Sequence, residues 1–175
     1  RADYLFASAR QASSRSGQPE AVARLELVRC ATRQASLDFS PCSAYQALAA
    51  TPGIEEATYL RFLQGDWNGL DARHLPEAYR ALVNTNAAET AGRLAAIRDP
   101  LSQLIAASVL VRRQEISPAA LDAAMQTASA QGWRKPLLVY LTLLERRARQ
   151  AGDLQTADRL AQRIDLVKAS FVKPR

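Results

Sequence analysis

Apolar residues recur along this chain at intervals of three and four, the spacing that places them on one side of an α-helix. Between Pro19 and Ser36, Ala21, Leu25, Val28 and Ala35 share one side while Glu20, Arg24 and Arg33 share the other. Further on, Leu154, Ala157, Ala161, Ile164 and either Leu166 or Val167 form a stripe opposite Asp158, Arg159 and Arg163. Both patterns predict amphipathic surface helices. Two segments differ. Residues 101–111 carry no charge, and residues 137–144 are interrupted only by Thr142 and the hydroxyl of Tyr140. A helix apolar on most sides is covered on most sides, so these two are expected at the centre of the C-terminal half.

Proline, glycine and capping residues divide the pattern into elements. Four prolines follow a capping residue directly: Ser40-Pro41, Thr51-Pro52, Asp99-Pro100 and Ser117-Pro118. Proline suits the first helical position, and the residue before it can accept a hydrogen bond from a free backbone N–H. Pro19, Pro76 and Pro136 read as further starts, and Asn86 with Glu89 makes a capping box. Gly17, Gly65, Gly132 and Gly152 stand where helices should end. The predicted helices cover 3–14, 19–36, 41–50, 54–64, 76–84, 87–98, 100–114, 118–131, 136–151 and 154–170. Composition agrees: 48% of residues are hydrophobic, only 6% are aromatic, and alanine is abundant. The expectation is one all-α domain over 1–175, with possible sub-units 1–64 and 76–175 joined by the turn-rich stretch 65–75.

Short connections make sequential helices pack as antiparallel hairpins. Arg112-Arg113 and Arg146-Arg147 lie 34 residues apart, and each pair closes an apolar helix followed by a turn and an amphipathic helix. Residues 136–168 carry Leu144, Ala148, Gly152, Ala157 and Ala161 at the small-and-apolar spacing of a tetratricopeptide hairpin, and this stretch resembles that family. Residues 101–133 match less closely, because the turn reads Gln114-Glu115-Ile116-Ser117-Pro118 rather than holding a glycine. The resemblance implies a right-handed array of helical hairpins that binds other proteins. An irregular helical bundle is the alternative.

Charge and cysteines bear on partners and setting. The formal charge is +6 and the isoelectric point is near 9.8, a balance that favours anionic partners. The arginines are spread along the chain, often within reach of an acid, as with Glu20 and Arg24 or Glu26 and Arg29, while Asp122 has nothing basic near it. Basic residues are not interleaved with aromatics as single-strand binding requires, so nucleic acid is not the expected partner. Cys30 and Cys42, the only cysteines, fall at neighbouring helix ends with eleven residues between them. A disulfide there is expected to contribute about 3 kcal/mol and implies an oxidising compartment. Two buried thiols in a cytoplasmic protein are the alternative. No run approaches the roughly 18 to 20 apolar residues of a membrane span. The chain starts at Arg1 rather than Met, and a removed export signal is one expectation that goes with this.

Candidate chemistry is sparse. His74 lies near Asp71 and just before a helix start, where a turn role is expected rather than a general-base role. Glu55 and Glu56 are adjacent in a first helical turn and point about 100° apart, so favourable contact with the helix N-terminus accounts for them. Too few soft ligands exist for a structural zinc site, and no cofactor is expected. Trp67 sits in the turn-rich stretch, where packing is its expected role.

The function expected is therefore a non-catalytic interaction module or scaffold that takes a peptide or helix of another protein in a groove. A periplasmic or envelope setting goes with the disulfide, as a processed lipoprotein or an accessory of a secretion or envelope assembly; the cytoplasm is the alternative. An inhibitor or immunity-type protein blocking one enzyme is the second reading, and an all-helical enzyme or nucleic-acid binder the third. Aromatic and arginine residues dominate interface energetics, which makes Tyr45, Tyr59, Arg61, Trp67, Tyr79, Arg80, Arg112, Arg113 and Arg146 the candidate partner-binding residues.

Overall fold

Each of the ten segments with helical spacing contains an α-helix in the computed structural model. It describes residues 2–15, 17–50, 52–83 and 85–171, and no strand occurs among them. The helices are α1 (Ala2–Arg15), α2 (Pro19–Gln34), α3 (Ser43–Leu48), α4 (Ile54–Gln64), α5 (Glu77–Arg80), α6 (Ala87–Ala95), α7 (Pro100–Arg112), α8 (Pro118–Ala130), α9 (Arg134–Gln150) and α10 (Leu154–Ala169). A single 3-10 turn, Ala72–His74, precedes α5.

Several boundaries follow the capping residues. The Asp99 carboxylate accepts the Ser102 N–H at 2.7 Å and the Ser117 hydroxyl accepts the Ala120 N–H at 3.1 Å. Asn86 accepts the Glu89 N–H at 3.0 Å. Not every proline expected at a helix start takes the first helical position: Pro76 is the cap before α5, and α9 begins at Arg134, ahead of Pro136. The Ser40 N–H donates back to Asp38 at 3.0 Å, so a local turn uses this residue and α3 begins only at Ser43. Thr51 lies outside the described residues, and α4 begins after Pro52 at Ile54, with Gly53 in the capping position. Helix α5 stops at Arg80 instead of reaching residue 84, because the chain turns to bury Leu82 and Val83.

Helix α7, uncharged up to its last residue Arg112, is the centre of the molecule. It is buried continuously from Gln103 to Leu110, and α2, α4, α5, α6 and α8 all pack on it. The one amide in this run is accommodated: Gln103 Nε2 donates to the Leu94 carbonyl at 3.2 Å, and its oxygen accepts the Thr127 hydroxyl. Helix α9 is less covered than its composition suggests. Tyr140 and Leu141 are buried, whereas Leu137, Leu138, Val139, Leu143 and Leu144 are only half-buried. The Tyr140 hydroxyl donates to the Leu104 carbonyl at 3.1 Å, tying α9 to α7. On α10, Ala157, Leu160 and Ile164 face inward, but Leu154 and Leu166 are exposed.

The inner face of α2 is turned by about one residue from the expected one. Val22, Ala23, Leu27, Cys30, Ala31 and Gln34 are buried; Leu25 is half-buried and Val28 is 50% exposed. The disulfide between Cys30 and Cys42, with Cα atoms 5.5 Å apart, fixes this orientation by tying the Cys30 side of α2 to α3. Ion pairs follow the same rotation. Arg24 reaches Glu56 on α4 rather than Glu20, and the buried Glu26 is held by Arg10 of α1 at 2.9 Å as well as by Arg29 at 3.9 Å. Asp122 accepts a hydrogen bond from Gln126 at 2.6 Å.

Candidate functional site

Helix α4 presents Tyr59 and Phe62 three residues apart, Trp67 follows in the turn after it, and α5 adds Tyr79. Together they build a stack. Phe62 lies between Tyr79 at 4.8 Å and Trp67 at 5.5 Å between ring centres, and Tyr59 lies 5.7 Å from Tyr79. The rings are within 27° of parallel, the offset-stacked arrangement that aromatic quadrupoles favour. The Arg113 guanidinium covers the free side of Trp67 at 4.1 Å and donates to the Gly65 carbonyl at 2.7 Å. Gly65 has φ +77°, and an added Cβ would lie 3.1 Å from the Arg113 side chain. Glycine suits both the left-handed backbone and the close approach.

Outside this stack, an open cleft of about 400 Å³ lies where α2, α4 and the segment from the 3-10 turn to α5 meet. Buried Leu27 and Leu75 form part of its floor, with half-buried Tyr59 beside them. Val28 stands on the rim, exposed. Arg24 comes from α2, Arg80 from α5, and His74, Glu55 and Glu56 complete the charged and polar rim. A predominantly apolar concavity with a few convergent polar groups is the usual form of a binding site.

Each rim group is held differently. Glu56 folds back over the N-terminus of α4: its own backbone N–H, and then Arg24, hold its carboxyl below the ordinary glutamate value. Arg24 bonds Glu56 through Nε, and Arg80 donates through Nε to the Leu75 carbonyl at 2.8 Å. Both guanidinium groups thus keep terminal N–H donors that no acceptor takes up among the described residues. Burial, and then the neighbouring Tyr79, push the Tyr59 hydroxyl far above its ordinary value, so it stays protonated. His74 lies 3.8 Å from Asp71, and the lining contains no serine, threonine, cysteine or lysine. Among the described residues no three His, Cys, Asp or Glu side chains group as a metal site would need. The arrangement can hold an apolar side chain and hydrogen-bond a polar group beside it.

The structure divides the expected partner-binding residues. Tyr59 and Arg80 line the cleft. Tyr45 and Tyr79 are buried. Trp67 is half-buried in the stack, as expected for packing. Arg61 closes a local turn, bonding Asp66 at 2.9 Å and the Asn68 carbonyl. Arg112 covers Phe39 at 4.6 Å and donates to its carbonyl at 3.3 Å, so it, like Arg113, serves internal packing. Arg146 is exposed on α9, outside the cleft. The other cleft residues, Arg24, Leu27, Val28, Glu55, Glu56, His74, Leu75 and Pro76, are not among those nominated by residue type.

No family model, curated protein or solved structure matches this chain. The functional reading rests on the site itself.

Proposed function

We propose that the chain is a non-catalytic protein-binding module that takes an apolar segment of another protein in the cleft between α2, α4 and α5. The observation that carries this reading is the exposed Val28 beside a floor of Leu27, Leu75 and Tyr59, bordered by two guanidinium groups whose terminal donors bond no acceptor among the described residues. Water is displaced from apolar surface when a partner side chain enters, and the arginines then supply orientation. The buried disulfide supports an oxidising compartment, and the bacterial periplasm or envelope is the setting we take to go with it.

The same reading takes α7–α10 as two hairpins of a tetratricopeptide-like array. Helices α7 and α9 start 34 residues apart, and both end in the same hydrogen-bond pattern. After α7 the Glu115 N–H bonds the Leu110 carbonyl and the Gln114 N–H bonds that of Val111; after α9, Asp153 and Gly152 do likewise with Ala148 and Arg149. Gln114, at φ +59°, therefore occupies the place a glycine takes elsewhere.

Affinity recovery from the native host's envelope fraction tests the proposal. Wild-type chain is expected to retain a partner that the doubly substituted Val28→Asp, Arg80→Glu chain loses, with helical circular dichroism unchanged. Retention of the same proteins by both would remove the cleft from the account.

A further inference from the structure

Helix α1 is the one α-helix without a fully buried side chain among the described residues. From Tyr4 to Arg15 only Phe6 and Ser13 are half-buried, and the others are exposed. It packs on α2, where Arg10 reaches the buried Glu26 at 2.9 Å and the Arg29 guanidinium stands 6.0 Å from the centre of the Phe6 ring. A hollow of about 200 Å³ stays open between the two helices, lined by Phe6, Ala7, Arg10, Leu25, Glu26 and Arg29. A helix of 14 residues is marginal on its own in water, and one so shallowly seated undocks well short of global unfolding.

The wall of α2 defines what the seat selects. A buried charge is costly without a partner, so an occupant must bring a cation to Glu26, which Arg29 approaches only to 3.9 Å. The apolar part of the hollow, beside half-buried Leu25, takes a ring. On α1 the two groups that answer this, Phe6 and Arg10, stand one helical turn apart. Helix α1 meets the pattern without filling the hollow, and its other large apolar side chains, Tyr4 and Leu5, remain 74% and 60% exposed.

We infer that this side of α2 is a groove for an amphipathic helix of a partner protein, which displaces α1 and carries an aromatic residue followed one turn on by arginine or lysine. Helix-in-groove recognition works through such anchors at one-turn spacing. The partner helix prevails over α1 by filling the hollow that α1 leaves. A second copy of this chain is disfavoured, because its α1 has the same fit, and the resident α1, tethered beside the groove, has the higher effective concentration. The groove is distinct from the cleft: Leu25, Glu26 and Arg29 line the one, and Arg24, Leu27 and Val28 the other. The exposed Tyr4 and Leu5 belong to no membrane span, as no helix among the described residues is long and apolar enough to cross one.

Fluorescence anisotropy tests this, with a labelled peptide of residues 2–15 as the probe and the full chain titrated into it. Wild-type chain is expected to bind the peptide weakly, because its own α1 competes. The Phe6→Ala, Arg10→Gln chain, with that competitor loosened, is expected to bind roughly tenfold more tightly. A peptide carrying the same two replacements should lose binding, as should the loosened chain with Glu26→Gln added. A peptide with Ala7→Leu, whose larger side chain enters the hollow, should bind more tightly than the native one. The peptide replacements leave the fold untouched, and circular dichroism checks the substituted chains. Equal binding by wild-type and loosened chains, binding by neither, or binding indifferent to the peptide replacements would overturn the inference. So would binding lost on Val28→Asp, which would place the peptide in the cleft, or dimerisation of the wild-type chain reversed by the peptide, which would assign the groove to a second copy.

Discussion

Phe62 sits at the middle of the aromatic stack, fully buried, with Tyr79 and Trp67 near its ring. Its truncation leaves a cavity that three stacked rings cannot easily close, and Phe62→Ala is expected to cost about 3 to 5 kcal/mol in denaturant titration. Glu56 acts through charge instead. Its carboxyl is held below the ordinary value first by its own backbone N–H and then by Arg24. A depressed folded-state value stabilises the fold above the unfolded-state value, about 4.3 for glutamate, and that contribution is lost as pH falls through the folded value. The stability gap between wild type and Glu56→Gln should therefore be widest near neutral pH and close on acidification, as followed by urea titration across pH. At this scale the sequence was partly legible. Tyr59 and Arg80 were nominated by residue type, but Arg24 and Val28 were not, because α2 carries more apolar positions than one face can bury. Leu25 and Val28 are the surplus, and the face they mark became clear only once Cys30 fixed the helix rotation.

At the scale of elements, the helix ends repay attention to backbone conformation more than to residue identity. The turn after α7 lacks glycine, so by sequence it did not match the turn after α9, yet both close with the same pair of hydrogen bonds. Gln114 is exposed and holds φ +59°, a left-handed conformation that costs an L-residue roughly 1 kcal/mol or more. Gln114→Gly is expected to raise stability by up to about 1 kcal/mol, offset in part by the added freedom of the unfolded chain; a fall in the denaturation midpoint would contradict this. The bond between Cys30 and Cys42 ties α3 to α2 across a sequence separation of 12. Reduction should remove about 3 kcal/mol, read as a lower urea midpoint with reductant present. The ten helices were legible from spacing and caps. The shortness of α3 and α5 was not, because in both a local turn competes for the residues that begin or end the helix: Ser40 folds back on Asp38, and the chain past Arg80 turns to bury Leu82 and Val83.

At the scale of the molecule, α7 organises the rest. Helices α2, α4, α5, α6 and α8 cover it and Tyr140 of α9 bonds it, which accounts for the uncharged run 101–111 and for the more open surfaces farther out, where α9 is half-buried and Val28 is exposed. The cleft forms between elements whose pairing the sequence does not announce: α2 meets α4 through the pair Arg24 and Glu56, and the 3-10 turn brings His74 and Leu75 alongside. The measurement that bears most directly on the cleft as a protein-binding site is photo-crosslinking in the native host. A photoreactive residue is placed at Val28 and, as a control, at exposed Gln162 on α10. The account predicts a discrete protein adduct from position 28, absent from position 162 and abolished by Arg80→Glu. No adduct from position 28, or the same adduct from both positions, would contradict it.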